Sequence, residues 1–410
     1  MSVARVVHAS GTRAVHASGT RAFIYVQHLL VIGHLKRAAT LAHALAGEGL
    51  EVTLASGGPA VAEIASAAQR RGVRLVQLPP ASAADLGFRI LLDGDGRQID
   101  ARWKRRRGEA LLAAWRRADP HVLVLELFPF GRRQMRFELL PLLDAAAGAA
   151  RRPAIVCSVR DVLGGQKSPE RQQETLGLVE RYFDRVLVHA DPAVIGFERT
   201  FPLAARLARK IQYTGYVVDG PGRPRLETPA GKGEVIVSAG GGAVGAGLLE
   251  AAIRARPLTG LRNRTWRVLA GGNLQEASFS ALTRLAAETG EGRVVLERAR
   301  SDFTTLLANC ALSVSQAGYN TLMEIVQARA RAVAVPFAGG GETEQTLRAR
   351  CFAERGLLEL LEESALAPET LAAAIDRAAR KPRPARGAID LQGARCSAEL
   401  IARWAAQGAS

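Results

Sequence analysis

Aromatic residues make up only 5% of this 410-residue chain, and lysine occurs six times among its 55 basic residues. Basic residues interleaved with aromatics, the usual make-up of a nucleic-acid-binding face, are nearly absent, so no nucleic-acid partner is expected. Cysteine is scarce as well: Cys157, Cys310, Cys351 and Cys396 are scattered, with no Cys-x-x-Cys spacing. Reduced core thiols are expected, and no metal site. No run of about 20 apolar residues occurs, so no transmembrane helix is expected. The N-terminus lacks a continuous apolar stretch ahead of a cleavage site, and the chain reads as cytoplasmic. Histidine is missing altogether after His189.

What the chain does have is positive charge, +16 at neutral pH, carried mostly by arginine. A balance of that sign suits nucleic acid or an anionic membrane, and the composition argues against the first. The densest cluster is Arg102-Trp103-Lys104-Arg105-Arg106-Arg107. It reads either as a solvated helix start or as a surface for an anionic acceptor or lipid headgroups. Residues 1–20 contain a tandem repeat, RVVHASGT followed by RAVHASGT. Such a repeat is too short for a solenoid and reads as a disordered tail; His8 and His16 within it are assigned no function.

From residue 21 onward, short apolar strands alternate with amphipathic helices. That is the pattern of βαβ units in a parallel sheet covered on both faces. Strands are expected at Phe23–Gln27, Glu51–Ser56, Val73–Leu78, His121–Glu126, Ala154–Ser158, Arg185–His189 and Lys210–Thr214. Helices such as His34–Gly49 and Arg133–Gly148 lie between them. A Gly- and Pro-rich stretch over 218–233 reads as a linker. A second series follows, with strands at Glu234–Ser238, Trp266–Ala270, Arg293–Leu296, Ala311–Val314 and Ala332–Val335. The expected class is α/β, with one domain over 21–217, another over 234–392 and a last helix within 393–410. Two doubly wound, Rossmann-like domains would then face a central cleft, with ligands outside the carboxyl ends of the strands.

The most informative segment runs from Ala311 to Ala349. A buried strand meets the polar turn Ser315-Gln316-Ala317-Gly318, and a helix follows with Glu324 about one and a half turns in. A second buried strand, Pro336, a loop and a helix carrying Glu344, Gln345 and Arg348 come next. Strand, glycine turn and helix in succession offer backbone N–H groups to a phosphate. An acid shortly inside that helix accepts hydrogen bonds from a ribose diol, so the features suggest a nucleotide diphosphate site. The run Ser315-Gln-Ala-Gly318-Tyr-Asn-Thr321-Leu-Met-Glu324, followed by Val335-Pro336-Phe337 and Gln345, resembles the donor-binding region of family 28 GT-B glycosyltransferases. That family includes the bacterial peptidoglycan N-acetylglucosaminyltransferase.

The resemblance implies a GT-B fold and transfer of a sugar from a UDP-sugar, for example UDP-N-acetylglucosamine, with inversion. It implies that Gly318, Tyr319, Asn320 and Thr321 hold the diphosphate, Glu324 the ribose, and Glu344 and Gln345 the sugar hydroxyls, with Ser315 also in the donor site. Ala299 and Arg300 align with positions that hold the uracil through backbone groups. The last helix would cross back onto the first domain. Two further loops, Ser238-Ala239-Gly240-Gly241-Gly242 and Gly271-Gly272-Asn273, follow strands, and their glycines let backbone approach a diphosphate. No Asp-x-Asp pair lies near these loops, so transfer is expected to be metal-independent and to need no cofactor beyond the donor. The leaving UDP would be stabilised by a helix N-terminus.

On the acceptor side, Gly33-His34 stands where the family carries Gly-Gly-His. The resemblance makes His34 the candidate base, a neutral imidazole taking an acceptor hydroxyl's proton. A histidine capping the helix start is the plain alternative. Leu29-Leu30-Val31-Ile32 replaces the glycines of the family's first loop, and Glu126-Leu127-Phe128-Pro129-Phe130-Gly131-Arg132-Arg133 offers no second glycine nest. A lipid diphosphate acceptor is therefore not supported. A small-molecule or glycan acceptor is expected, with peripheral membrane contact left open. Glu126 is a candidate base or hydroxyl partner, Phe128 and Phe130 a stacking surface, and Arg132 with Arg133 a clamp for carboxylate or phosphate. Arg160 and Asp161 end the next strand and either serve the acceptor or pair with each other. Two alternatives stand beside transfer. A sugar-nucleotide 2-epimerase of the same fold needs a histidine near the donor sugar, and the second domain has none. A nucleotide-binding protein without catalysis is the other.

Overall fold

The structure is a computed structural model that describes residues 19–29, 32–84, 89–164, 168–218, 229–240, 245–272, 274–298, 300–339 and 343–407. Most of the tandem repeat, most of the linker, Gly241, Asn273 and Ala299 lie outside the described residues. The chain divides into two compact units, Met1–Asp219 with Asp390–Ser410, and Gly220–Ile389.

The first unit runs β1 (Arg21–Val26), α1 (Gly33–Gly47), β2 (Glu51–Ser56), α2 (Ala62–Arg70), β3 (Val73–Gln77), the small hairpin β4 (Ser82–Ala83) and β5 (Leu91–Leu92), and α3 (Ala101–Ala118). It continues with β6 (Val122–Glu126), α4 (Arg136–Ala147), β7 (Ala154–Arg160), α5 (Pro169–Tyr182), β8 (Arg185–His189) and β9 (Ile211–Tyr213). Seven strands form one parallel sheet in the order β3-β2-β1-β6-β7-β8-β9. Period-2 alternation buries both faces. In β1, Ala22, Ile24 and Val26 join the apolar cluster that includes α1. Phe23 and Tyr25 point the other way, among Leu111, Leu139, Leu142 and Val179 of α3, α4 and α5.

The basic cluster at 102–107 does not form one solvated face. It lies in the first two turns of α3, whose N-cap Asp100 accepts a 2.6 Å hydrogen bond from Trp103 N. Arg102, Lys104, Arg105 and Arg106 are exposed, whereas Trp103 and Arg107 turn inward. Arg107 is fully buried. Its Nε donates to Glu138 Oε2 at 2.7 Å and its Nη2 to Glu138 Oε1 at 2.9 Å. Nη1 donates to the carbonyls of Gly57 (2.8 Å) and Pro79 (2.6 Å), and Nη2 also to Gln27 Oε1. Tyr25 Oη closes the network on Glu138 Oε1 at 2.5 Å. A buried arginine is tolerated only with this degree of pairing.

The second unit runs β10 (Val235–Ser238), α6 (Ala246–Ala255), β11 (Trp266–Ala270), α7 (Glu276–Thr289), β12 (Val294–Arg298), α8 (Phe303–Asn309) and β13 (Leu312–Gln316). It ends with α9 (Tyr319–Ala328), β14 (Ala332–Val335), α10 (Glu344–Glu354), β15 (Glu359–Leu360) and α11 (Pro368–Arg380). Its sheet is parallel in the order β12-β11-β10-β13-β14-β15. The chain then returns to the first unit as α12 (Gly393–Gln407). Ala398, Ile401, Ala402 and Ala405 of α12 share a core cluster with Ala38, Leu41, Ala42 and Leu45 of α1.

In each sheet the strand order reverses once, between β1 and β6 in the first unit and between β10 and β13 in the second. Parallel sheets bind ligands beyond the strand carboxyl ends at that reversal, because loops leaving in opposite directions open a crevice there. His34 and Glu126 follow β1 and end β6; Gly240 and Gly318 follow β10 and β13.

Candidate active site

In the first unit, Glu126 ends β6 and is 1% exposed. His34, in the first turn of α1, places Nδ1 3.0 Å from Glu126 Oε1. Arg37, one turn further on the same helix, donates Nη2 to that same oxygen. Ser158 Oγ of β7 donates to the other oxygen, Oε2, at 2.7 Å. Burial pushes the Glu126 carboxyl up, but the adjacent Arg37 charge and the hydrogen bonds from His34 and Ser158 outweigh it and hold the group well below the carboxylate range. Glu126 is thus a fixed anion with both oxygens engaged, not a base available to an acceptor. That corrects the role expected for it.

His34 is driven the other way. Burial lowers its pKa well below the usual value, and the charges of Arg132, Arg160 and Arg37 add to the effect against the hydrogen bond with Glu126. The ring is therefore neutral at physiological pH, with a single N–H. Glu126 Oε1 is a charged acceptor, so that proton sits on Nδ1. The 3.2 Å approach of Arg37 Nη2 to Nδ1 then sets two donors side by side, and Arg37 bonds to the carboxylate instead. The Nε2 lone pair is left as the acceptor, the form a general base needs.

The other acceptor-side residues separate into two groups. Gly33 is the first residue of α1 and partly exposed. Arg132 takes a left-handed backbone at φ 59°, and its Nε donates to Gln27 O at 2.7 Å. No carboxylate pairs with Arg132 among the described residues, and burial together with the Arg160 charge lowers its pKa to about 10. Arg160 ends β7, half-buried. Asp161 is fully buried, and its carboxylate accepts from Val162 N at 2.8 Å. Phe128 and Phe130 are each 1% exposed and belong to the core. The Phe130 ring packs edge-on against Phe197 and Phe201, at 5.2 and 5.1 Å between centroids. Neither offers a face for stacking; transfer of an aromatic side chain from water outweighs a solvent-facing role.

In the second unit, β13 runs through to Gln316, so the expected polar turn is shorter by two residues. Ser315 is fully buried and its hydroxyl lies 2.8 Å from that of Ser313, inside the sheet rather than at the turn. Gly318 is the N-cap of α9, with extended backbone and no side-chain cap. The first-turn N–H groups at Tyr319, Asn320 and Thr321 are thus without a capping side chain, the usual arrangement at an anion site. Glu324 follows on α9, partly buried. Gly240 adopts φ +71°, a conformation open to glycine, and its N–H donates to Ser238 Oγ at 3.2 Å. Gly272 follows β11, with open space around its Cα. On α10, Gln345 Oε1 accepts from Phe337 N at 3.2 Å. Glu344 is buried and paired at 3.0 Å with Arg348, whose guanidinium lies 5.0 Å from the centroid of the Tyr319 ring. The side chain of Arg300 clasps Asp302 through Nε (2.7 Å) and Nη2 (2.8 Å) and reaches Glu297 at 3.2 Å. Among the described residues, no cluster of three or more His, Cys, Asp or Glu is placed to hold a metal ion.

Arg37, Ser158, His189 and Thr214 join the cluster around Glu126 in the first unit; of these, the sequence pointed only to Ser158, as part of the strand end Ser158-Val159-Arg160-Asp161. Arg37 carried a signal, since i and i+3 on a helix share a face with His34. Ser158 lies on β7, His189 ends β8 and Thr214 follows β9, with nothing local to pair them.

Residues 241–395 match the glycosyltransferase family 28 C-terminal domain. Two UDP-N-acetylglucosamine--N-acetylmuramyl-(pentapeptide) pyrophosphoryl-undecaprenol N-acetylglucosamine transferases, from Anaeromyxobacter sp. (strain K) and Anaeromyxobacter dehalogenans (strain 2CP-1), are 29% identical over 246 residues, 56% of this chain. The chain spans 60% of the length of these relatives. Among solved structures, Acinetobacter baumannii MurG is similar at a TM-score of 0.58 and 15% identity, covering 94% of this chain and 99% of its own. CalG4, the calicheamicin glycosyltransferase, gives 0.55 and 16%, covering 95% of each. The fold is therefore GT-B. The family 28 match is confined to residues 241–395, within the second unit and the start of the return to the first.

Proposed function

We propose that the chain is a glycosyltransferase that moves a sugar from a UDP-sugar to an acceptor hydroxyl, with inversion and without a metal ion. The observation that carries the reading is His34 held neutral, with Nδ1 on a buried carboxylate and Nε2 left as acceptor. As the acceptor oxygen forms its bond to the anomeric carbon, its proton passes to Nε2. The bond from that carbon to the diphosphate breaks, and UDP leaves with the electron pair. The uncapped first turn of α9 stabilises the charge that develops on the diphosphate. Glu324 takes the ribose, Glu344 and Gln345 the sugar hydroxyls, and Gly240 and Gly272 let backbone approach the donor. UDP-N-acetylglucosamine is the donor that the activity of the Anaeromyxobacter relatives supports.

On the acceptor side, Arg132, with no carboxylate partner among the described residues, and Arg160 favour an acceptor carrying an anionic group near the reacting hydroxyl. The exposed basic residues of α3, Arg102, Arg105, Arg106, Arg116 and Arg117, support peripheral contact with an anionic surface. No helix among the described residues is long and apolar enough to cross a membrane.

Calorimetry of UDP against GDP, ADP and dTDP tests the donor reading. Selective binding of UDP is expected, and Glu324→Ala should weaken it by about 1–3 kcal/mol through loss of a hydrogen bond to the ribose. Absence of binding by every nucleotide would withdraw the transferase reading. UDP binding without turnover on any acceptor would favour a non-catalytic binding protein.

A further inference from the structure

A second buried histidine is linked through the Ser158 hydroxyl to the carboxylate that holds His34. His189, the last residue of β8, is fully buried. Its Nε2 lies 2.9 Å from Ser158 Oγ and its Nδ1 lies 2.9 Å from Thr214 Oγ1. Five side chains thus form one chain: Thr214, His189, Ser158, Glu126, His34. They come from α1, the carboxyl ends or interiors of β6, β7 and β8, and the residue after β9.

Counting protons gives the chain a direction. Ser158 has one hydroxyl proton, and the charged Glu126 Oε2 takes it. Ser158 Oγ can then only accept from His189, so the His189 proton sits on Nε2. Its Nδ1 is left as an acceptor, 2.9 Å from the Thr214 hydroxyl, which also faces Gly215 O at 3.0 Å. The His189 Nε2–H and the Ser158 hydroxyl point toward Glu126 from one side and the His34 Nδ1–H from the other, which fixes the tautomers of both rings.

We propose that His189 and Ser158 are positioning residues for His34: they commit Glu126 Oε2, so that Oε1 faces His34 Nδ1–H and the base presents Nε2. This rests on the reading of His34 as the base, but it makes a separate claim about how that ring is held. Arg37 supports Oε1 from α1, while Arg132 and Arg160 are the remaining charges that act on His34. Without Ser158, the buried Oε2 would lose its hydrogen bond and the carboxylate would turn toward Arg37, releasing the ring.

The test is nitrogen NMR of the full chain with ring-labelled histidine near pH 7, with the His34 and His189 signals assigned by their loss in His34→Gln and His189→Gln. The expected result is protonated Nδ1 at His34 and protonated Nε2 at His189 in the unmodified protein. The opposite tautomer at either ring overturns the proposal without reference to any variant. Ser158→Ala should give mixed tautomers at His34, and Ser158→Thr, which keeps a hydroxyl, should restore the single form. A folded Ser158→Ala protein with an unchanged His34 spectrum would also overturn it. Once an acceptor is known, Ser158→Ala should lower kcat about 10–100-fold, the range for groups that orient a ligating imidazole, with little change in KM. Normal turnover by His34→Ala would instead remove the base reading while leaving the tautomer result standing.

Discussion

Lowering the pH should expose the cost of burying His189, and substituting it should remove that cost. Burial, with the charge of Arg37, lowers its pKa from 6.5 to about 3. The unfolded chain binds a proton there below about pH 6.5, whereas the folded chain does so only near pH 3. Stability is therefore unaffected by this group above pH 6.5 and is lost progressively as pH falls toward 3. Each pH unit within that window removes about 1.4 kcal/mol, so at pH 4 the loss from His189 alone is about 3 kcal/mol. His189→Gln carries an amide N–H toward Ser158 but does not titrate. Urea unfolding of both proteins at pH 7, 5.5 and 4 isolates the effect. Any constant offset from repacking cancels, as does the titration of His34, because both proteins share it. The unmodified protein should lose about 3 kcal/mol more than the variant between pH 7 and pH 4. Parallel pH profiles would refute the placement of His189 as a neutral, buried ring.

Three other outcomes are expected. His34→Ala should keep UDP affinity and lower turnover by about 10²–10⁴, read as a kcat/KM comparison once an acceptor is in hand. Glu138→Gln should leave the Arg107 charge buried without its counter-ion and cost about 3–5 kcal/mol in urea unfolding at pH 7. Arg132→Met should leave UDP binding unchanged and raise KM for an anionic acceptor, with a weaker dependence of that KM on salt.

Much of the scaffold was legible because parallel strands buried on both faces read as short apolar runs. Glu51–Ser56, Arg185–His189, Trp266–Ala270 and Ala332–Val335 are strands with the expected bounds. Strand ends at functional positions were harder. Arg160 extends β7, and Ser315 and Gln316 extend β13, because backbone pairing with neighbouring strands continues past the last apolar side chain. The basic run at 102–107 hid the inward turn of Arg107, since its partner Glu138 is 31 residues away and its other acceptors, Pro79, Gly57 and Gln27, are 28, 50 and 80 residues away. Phe128 and Phe130 read equally well as a ligand face or as core, and only their packing against Phe197 and Phe201 decides. The pairing of His34 with Glu126 spans 92 residues, and Ser158 with His189 a further 31. Hydrogen bonds at such separations follow from sheet order, which no local pattern specifies.

The return of α12 to the first unit sets the timing of synthesis. The helix that carries His34 has an apolar stripe, Ala38, Leu41, Ala42 and Leu45, whose cover includes Ile401, Ala402 and Ala405. Those covering residues are translated only after the whole second unit, Gly220–Ile389. At about 5–20 residues per second, that stripe waits on the order of 10–35 s for its partner on the ribosome. During that interval the nascent chain displays a greasy ridge beside an otherwise finished sheet. A polypeptide cut short anywhere in the second unit would display it permanently, so truncated forms should be drawn to chaperones and aggregate rather than accumulate as a soluble first unit.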